Sequence, residues 1–141
     1  MRCAILLPAL CLMLLSCVRP DTEELFVKAE DADNGLYIFK VDMPDSLASY
    51  DFSFYFRVDQ FFTGNGQYTI PMDINWITPS SGTALKERVY AGGRGNEGMR
   101  LEYRTGVRVS ETGEWIIQVC PRNLPDKFRG FGLIVKRNGT R

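Results

Sequence analysis

From Phe52 to Val58 the chain alternates without a break: Phe52, Phe54, Phe56 and Val58 hold one parity, Ser53, Tyr55 and Arg57 the other. Successive side chains of a β-strand point to opposite faces, so a period of two dictates a half-buried strand, apolar on one side and polar on the other. That apolar face must be covered, and the chain supplies further segments of the same period. Ile70, Met72, Ile74 and Trp76 alternate with Thr69, Pro71, Asp73 and Asn75. Met99, Leu101, Tyr103, Thr105, Val107 and Val109 alternate with Arg100, Glu102, Arg104, Gly106 and Arg108. Trp115, Ile117 and Val119 alternate with Glu114, Ile116 and Gln118, and Phe131, Leu133 and Val135 form the last such set. Leu36 to Met43 is rich in β-formers and stops at Pro44-Asp45-Ser46. Beyond the N-terminal segment no stretch carries apolar residues at helical spacing over three turns. Seven to eight strands joined by turns predict an all-β chain, an antiparallel β-sandwich of jelly-roll-like form.

The joints between these segments carry their own signals. Asp31-Ala32-Asp33-Asn34-Gly35, Pro79-Ser80-Ser81-Gly82 and Glu111-Thr112-Gly113 read as turns, and Pro121 to Pro125 as a loop. Pro71 has no N–H to give to a ladder, so its strand is expected at a sheet edge or with a bulge there. Met99 to Val109 reads as one long strand or as two that meet at a kink near Thr105-Gly106. Leu85 to Tyr90 reads as a short charged strand, followed by a glycine-rich flexible loop, Ala91 to Gly98.

The start of the chain has a different character. Arg2 precedes an uncharged apolar run from Ala4 to Leu15, then Ser16 and Cys17. The run is too short for a permanent membrane helix, which needs about 20 apolar residues, and it suits the apolar region of a cleavable export signal. Leu14-Leu15-Ser16-Cys17 looks like a bacterial lipobox, and that resemblance implies cleavage before Cys17 and acylation of its thiol. Each buried acyl methylene would contribute about 0.8 kcal/mol to membrane attachment. The expected organisation is therefore a lipoprotein signal peptide at 1–16, a lipidated polar tether at 17–24 and a β-sandwich domain at 25–141. Val18 after the cysteine, in place of an inner-membrane retention aspartate, points to the outer membrane, with either face open. Cys3 and Cys11 leave with the signal peptide, and with Cys17 acylated Cys120 has no partner in the chain. A disulfide framework is excluded, and Cys120 reads as a small buried hydrophobe.

Stability must then come from apolar burial, which fits a composition 45% hydrophobic and 12% aromatic. The net charge of the whole chain is zero, so no global field points to nucleic acid. The charge is nevertheless polarised along the chain: Asp21 to Leu85 holds 11 acids and 3 bases, Lys86 to Arg141 12 bases and 6 acids. One reading is that strands from the two halves interleave and pair their surface charges. The other is a basic face for an anionic partner such as lipid phosphate or acidic glycan, with Arg94 and Arg104 as candidate binding residues.

Catalytic constellations are hard to assemble. The chain has no histidine, which removes the commonest general base and metal ligand. Glu111 with Glu114, or Asp59 with Asp73, are the carboxylate pairs a glycosidase would need, and both read better as solvated strand faces and turns. Asp31, Asp33 and Asn34 lack the glutamate that an EF-hand loop requires. Gly92 to Gly98 is not followed by a helix and lacks the lysine and hydroxyl of a phosphate-binding loop. No metal or cofactor is expected. Surface aromatics are better candidates: Phe61, left outside by parity beside Phe62, and Tyr55 on the polar parity of its strand could stack on sugars or anchor a partner protein. Asp45-Ser46-Leu47 resembles the three-residue O-glycosylation site of exported Bacteroidota proteins, which makes Ser46 a possible modification site.

The order of segments from Tyr50 to Lys136 resembles the gliding-motility lipoprotein GldH family of Bacteroidota. The likeness rests on Tyr50-Asp-Phe-Ser-Phe-Tyr-Phe-Arg57, Leu101-Glu-Tyr-Arg-Thr-Gly-Val-Arg-Val109 and Thr112-Gly-Glu-Trp-Ile-Ile-Gln-Val119. A Leu124-Pro125 loop and Gly130-Phe-Gly-Leu-Ile-Val-Lys136 complete it. The resemblance implies a non-enzymatic outer-membrane lipoprotein, held by lipid at Cys17 and acting as a structural or interaction component among other envelope proteins. A membrane-tethered carbohydrate-binding module is the alternative, in which a flat exposed aromatic platform would serve a glycan. A hydrolase acting on envelope glycans comes third.

Overall fold

The structure, a computed structural model, describes residues 21–58, 67–94, 100–125 and 127–139, with the backbone alone at 67, 68, 93 and 94. Eight strands follow one another: β1 (Thr22–Lys28), β2 (Tyr37–Met43), β3 (Ser49–Val58), β4 (Gln67–Ile77), β5 (Thr83–Arg94), β6 (Arg100–Val107), β7 (Gly113–Pro121) and β8 (Phe128–Asn138). Among the described residues the only helical element is a single 3-10 turn, Ala29–Asp31. The strands form two four-stranded antiparallel sheets, β1-β8-β3-β6 and β2-β7-β4-β5. This is the strand order of a jelly roll: a long antiparallel ribbon pairing β1 with β8, β2 with β7, β3 with β6 and β4 with β5, wrapped so that alternate rungs fall into opposite sheets.

The apolar parity of every full strand lies between the sheets. Phe39, Val41, Phe52, Phe54, Met72, Ile117, Val119, Phe131 and Leu133 are all essentially without solvent contact. Phe131 sits at the centre, with ring contacts to Tyr37, Phe39, Phe54 and Phe56 at centroid distances of 4.6 to 6.0 Å. At the other end Trp76 packs against Phe52 and Trp115. Burying aromatic rings from both sheets in one layer is what holds the sandwich together without covalent cross-links.

Local chemistry explains the joints. Asn34 and Gly35 both adopt positive φ, 51° and 81°, and Asp33 and Leu36 exchange both backbone hydrogen bonds across them. Asn-Gly suits this tight two-residue turn, because its twist needs two left-handed residues in succession. The kink expected in the long strand is a pair of bulges in β6. Its register with β3 slips between Tyr50 and Phe52 and again between Phe52 and Ser53, and Asp51 Oδ1 accepts the Gly106 N–H at 2.7 Å. Bulges of this kind add an unpaired residue and bend the strand that carries them.

Three expectations are corrected. The strand containing Pro71 is interior, paired with β5 on one side and β7 on the other, and its bulge lies between Trp76 and Ile77. In an antiparallel strand the N–H and C=O of one residue point the same way, and the Pro71 carbonyl accepts the Arg122 N–H at 2.8 Å. The missing donor therefore faces β7, just beyond the last ladder pair Met72–Pro121, and costs the β5 ladder nothing. Secondly, β1 begins at Thr22 and runs in register with β8 from Thr22–Lys136 onward, so Thr22, Glu23 and Glu24 belong to the sheet and not to a tether. Their polar side chains are those of an edge strand, half of whose surface faces water. Thirdly, β5 continues to Arg94, opposite Gln67, because its partner β4 is long enough to hold Ala91 to Arg94 in the ladder.

Candidate binding face

The outer surface of the β1-β8-β3-β6 sheet carries the most unusual arrangement. Register places Phe26 of β1, Gly132 of β8 and Tyr55 of β3 in one row across the sheet, and Lys28, Gly130 and Arg57 in the next. The two glycines lack the side chains that would push the rings upright. Tyr55 lies over Gly132, where a Cβ would come within 2.0 Å of its ring, and Phe26 over Gly130, where a Cβ would come within 2.3 Å. Both rings therefore lie down side by side on the backbone of β8, their planes within 16° and their centroids 6.0 Å apart. Phe26 keeps 38% of its surface exposed, and Tyr55 is half-buried.

Polar groups frame the pair. Tyr55 donates its hydroxyl hydrogen to Glu24 Oε1 at 2.5 Å, and burial together with that carboxylate pushes the phenol up to about 12. The Arg57 guanidinium lies 5.2 Å from the Phe26 centroid. Arg100 stands opposite Tyr55 on β6, and Glu102 opposite Ser53.

Other polar clusters hold the fold. At the open side between edge strands β5 and β6, Trp76 Nε1–H donates to Tyr103 Oη at 3.1 Å, and the Tyr103 hydroxyl donates to Glu87 Oε1 at 2.5 Å. Arg104 reaches both Glu87 oxygens, at 2.8 and 2.9 Å. Burial, then the Glu87 hydrogen bond, pushes Tyr103 up to about 12. Burial also pushes the Glu87 carboxyl up, but the bonds from Tyr103 and Arg104 outweigh it and hold it below its ordinary value. On the outer face of the second sheet Asp73 accepts from Arg88 at 2.6 Å and from Arg122 at 3.0 Å, and these two bonds lower its carboxyl to about 2. An open groove of about 290 Å³ at one end of the sandwich is lined by Asp21, Glu23, Asp42, Pro44, Tyr50, Val135 and Arg137. No group of three or more acidic, cysteine or histidine side chains among the described residues could hold a metal ion.

Of the residues singled out from sequence, Tyr55 belongs to the aromatic face. Arg104 does not: it is half-buried in the ion pair with Glu87 that links the two sheets, because the β6 bulges turn it toward that seam. Arg94 ends β5, an edge strand of the sheet that does not carry the rings, and Cys17 and Phe61 lie outside the described residues. Ser46 is exposed in the turn between β2 and β3, which Asp45 Oδ1 pins by accepting the Leu47 N–H at 2.8 Å. Trp76 is buried in the core, as its apolar parity requires. Cys120 is half-exposed on the outer face beside Asp73, since it shares the parity of Gln118 and Ile116, and is not the buried hydrophobe expected. Glu111 caps the Pro79–Gly82 turn by accepting from Ser80 Oγ at 2.8 Å. Sequence reading missed Phe26 and the glycine floor. The available signal was Gly-Phe-Gly in β8, two glycines on the outward parity of an otherwise apolar strand.

No family model matches the chain, and no curated protein matches it. A solved crystal structure of a protein from Sulfurospirillum deleyianum is similar over 84% of this chain and 98% of that one, with a TM-score of 0.50 and 13% identity. At that identity the likeness concerns the fold alone.

Proposed function

We propose that this chain is a lipid-anchored protein of the bacterial outer membrane that works by contact, as a structural or interaction component of an envelope assembly, in the manner the GldH resemblance implies. The observation that carries the reading is the position of β1. It starts five residues after Cys17, a reach of at most about 18 Å in extended chain, so an acyl group at Cys17 would hold the sandwich against the bilayer surface. A module held that close meets neighbours in and on the membrane. A role in contact is further supported by how the shifted groups are used: Asp73, Glu87, Tyr55 and Tyr103 all engage side chains of other strands.

The test is metabolic labelling of cells expressing the full chain with an alkyne fatty acid, followed by detergent phase separation and crosslinking. The expected result is label on the wild-type protein but not on Cys17→Ala. The labelled form should enter the detergent phase and yield crosslinks to a defined set of envelope proteins. An unlabelled wild-type protein that stays in the aqueous phase would overturn the anchor. A labelled protein without reproducible crosslinks would overturn the contact role.

A further inference from the structure

We infer that the flat pair Phe26 and Tyr55 is a binding site for a glycan built of pyranose rings. The geometry selects this class of ligand over a protein. Aromatic anchors at protein interfaces project into pockets on a partner and need depth on one side or the other. Here each ring rests on glycine backbone and the two planes lie within 16° of each other, so the pair offers two nearly parallel flat rings and nothing to insert. A π-face is the negative pole of the ring quadrupole, and the complementary surface is one of weakly positive C–H groups. A pyranose has such a face, planar and of ring size, with hydroxyls around its edge. Two rings side by side accept two consecutive sugars.

The rim completes the match. Glu24 and Lys28 flank Phe26 at two residues' distance along β1, Arg57 follows Tyr55 along β3, and Arg100 and Glu102 border the pair on β6. A rim of one sign would select an ion. This one mixes acceptors and donors, as hydroxyls demand, because each hydroxyl both gives and takes a hydrogen bond. Arg57 is exposed, and its contact with Phe26 is a surface cation–π interaction weak enough to be exchanged for bonds to sugar oxygens. The Tyr55–Glu24 bond fixes the second ring in advance, so little freedom is lost when a sugar docks.

The experiment uses the full chain in detergent micelles on an array of pyranosyl oligosaccharides from bacterial, plant and animal surfaces, with titration calorimetry on those retained. Wild type should retain a defined subset. Phe26→Leu, which keeps an apolar cover over Gly130 but removes the flat face, should weaken binding about tenfold or more, with a thermal midpoint close to wild type. Tyr55→Phe, which keeps the ring and loses only the tie to Glu24, should weaken it less. Retention of no oligosaccharide by wild type, or equal retention by Phe26→Leu, overturns the inference, and neither result depends on whether Cys17 is the anchor.

Discussion

Gly130 and Gly132 stand two residues apart on the same face, yet they are constrained differently. At Gly132 the nearest atoms a Cβ would meet all belong to the ring of Tyr55, from 2.0 Å, and that ring can swing away at the cost of its bond to Glu24. At Gly130 it would meet the Phe26 ring and also the Val27 carbonyl oxygen at 2.6 Å, which belongs to the β1 backbone and cannot move without opening the ladder. Gly130→Ala should therefore cost about 2–3 kcal/mol and Gly132→Ala about 1 kcal/mol, measured by urea unfolding. Adding Tyr55→Ala should remove most of the second penalty, whereas adding Phe26→Ala should leave the first largely intact. Equal costs, or full relief in both double variants, would show that the rings alone set the constraint. Only the glycine pair was legible in the chain. Parity shows that Gly130 and Gly132 face outward, but the rings that cover them come from β1 and β3, more than 75 positions away in each case, and only register reveals the row.

The strand pair β5 and β6 closes one side of the sandwich through side chains, since among the described residues no ladder joins these two edges. Tyr103 is the link, bonded to Trp76 from one sheet and to Glu87 from the next strand. Tyr103→Phe leaves the indole N–H and a carboxylate oxygen without that partner and should lower stability by about 1–2 kcal/mol, with loss of the near-ultraviolet signal of Trp76 as a local report. Acid should act on the same elements. Asp73 and Glu87 both have carboxyls held below their ordinary values, so their contribution is complete at neutral pH and is lost as pH falls through the folded-state value. For Asp73 that window runs from about 4 down to about 2. Wild type should lose stability across it, and Asp73→Asn should flatten the slope there while leaving the profile above pH 5 parallel. A profile as steep in the variant as in the wild type would show that the Arg88 and Arg122 bonds carry no linkage. At this scale the chain was readable to a large degree. Period-two patterning placed β2, β3, β4, β6, β7 and β8. It failed at Pro71, where the direction in which one residue's donor would point decides whether a proline is tolerated inside a sheet, and at the start of β1, where Thr22 to Glu24 are the polar residues of an edge strand.

Every ladder between the described strands joins one of the first four to one of the last four: β1·β8, β3·β8, β3·β6, β2·β7, β4·β7 and β4·β5. This accounts for the charge polarity along the chain. Acids early and bases late become neighbours on the sheets, as in Asp73 with Arg88 and Arg122, and Asp21 with Arg137. The interleaving reading of the charge is the one the topology supports, and it needed no more than the two-half count to be suggested. It also predicts that neither half holds a sheet by itself. A chain cut in the Pro79–Gly82 turn should give two fragments without β-structure by circular dichroism, and mixing them should restore the signal. A folded isolated half would contradict the topology. The contacts being so distant in sequence, refolding should take milliseconds to seconds. The last strand is also an inner one, seated between β1 and β3 with Phe131 at the heart of the aromatic cluster. A polypeptide delivered front end first, from a ribosome or through a translocation pore, thus cannot lock into shape until β8 has emerged. The topology keeps the nascent chain threadable throughout its passage.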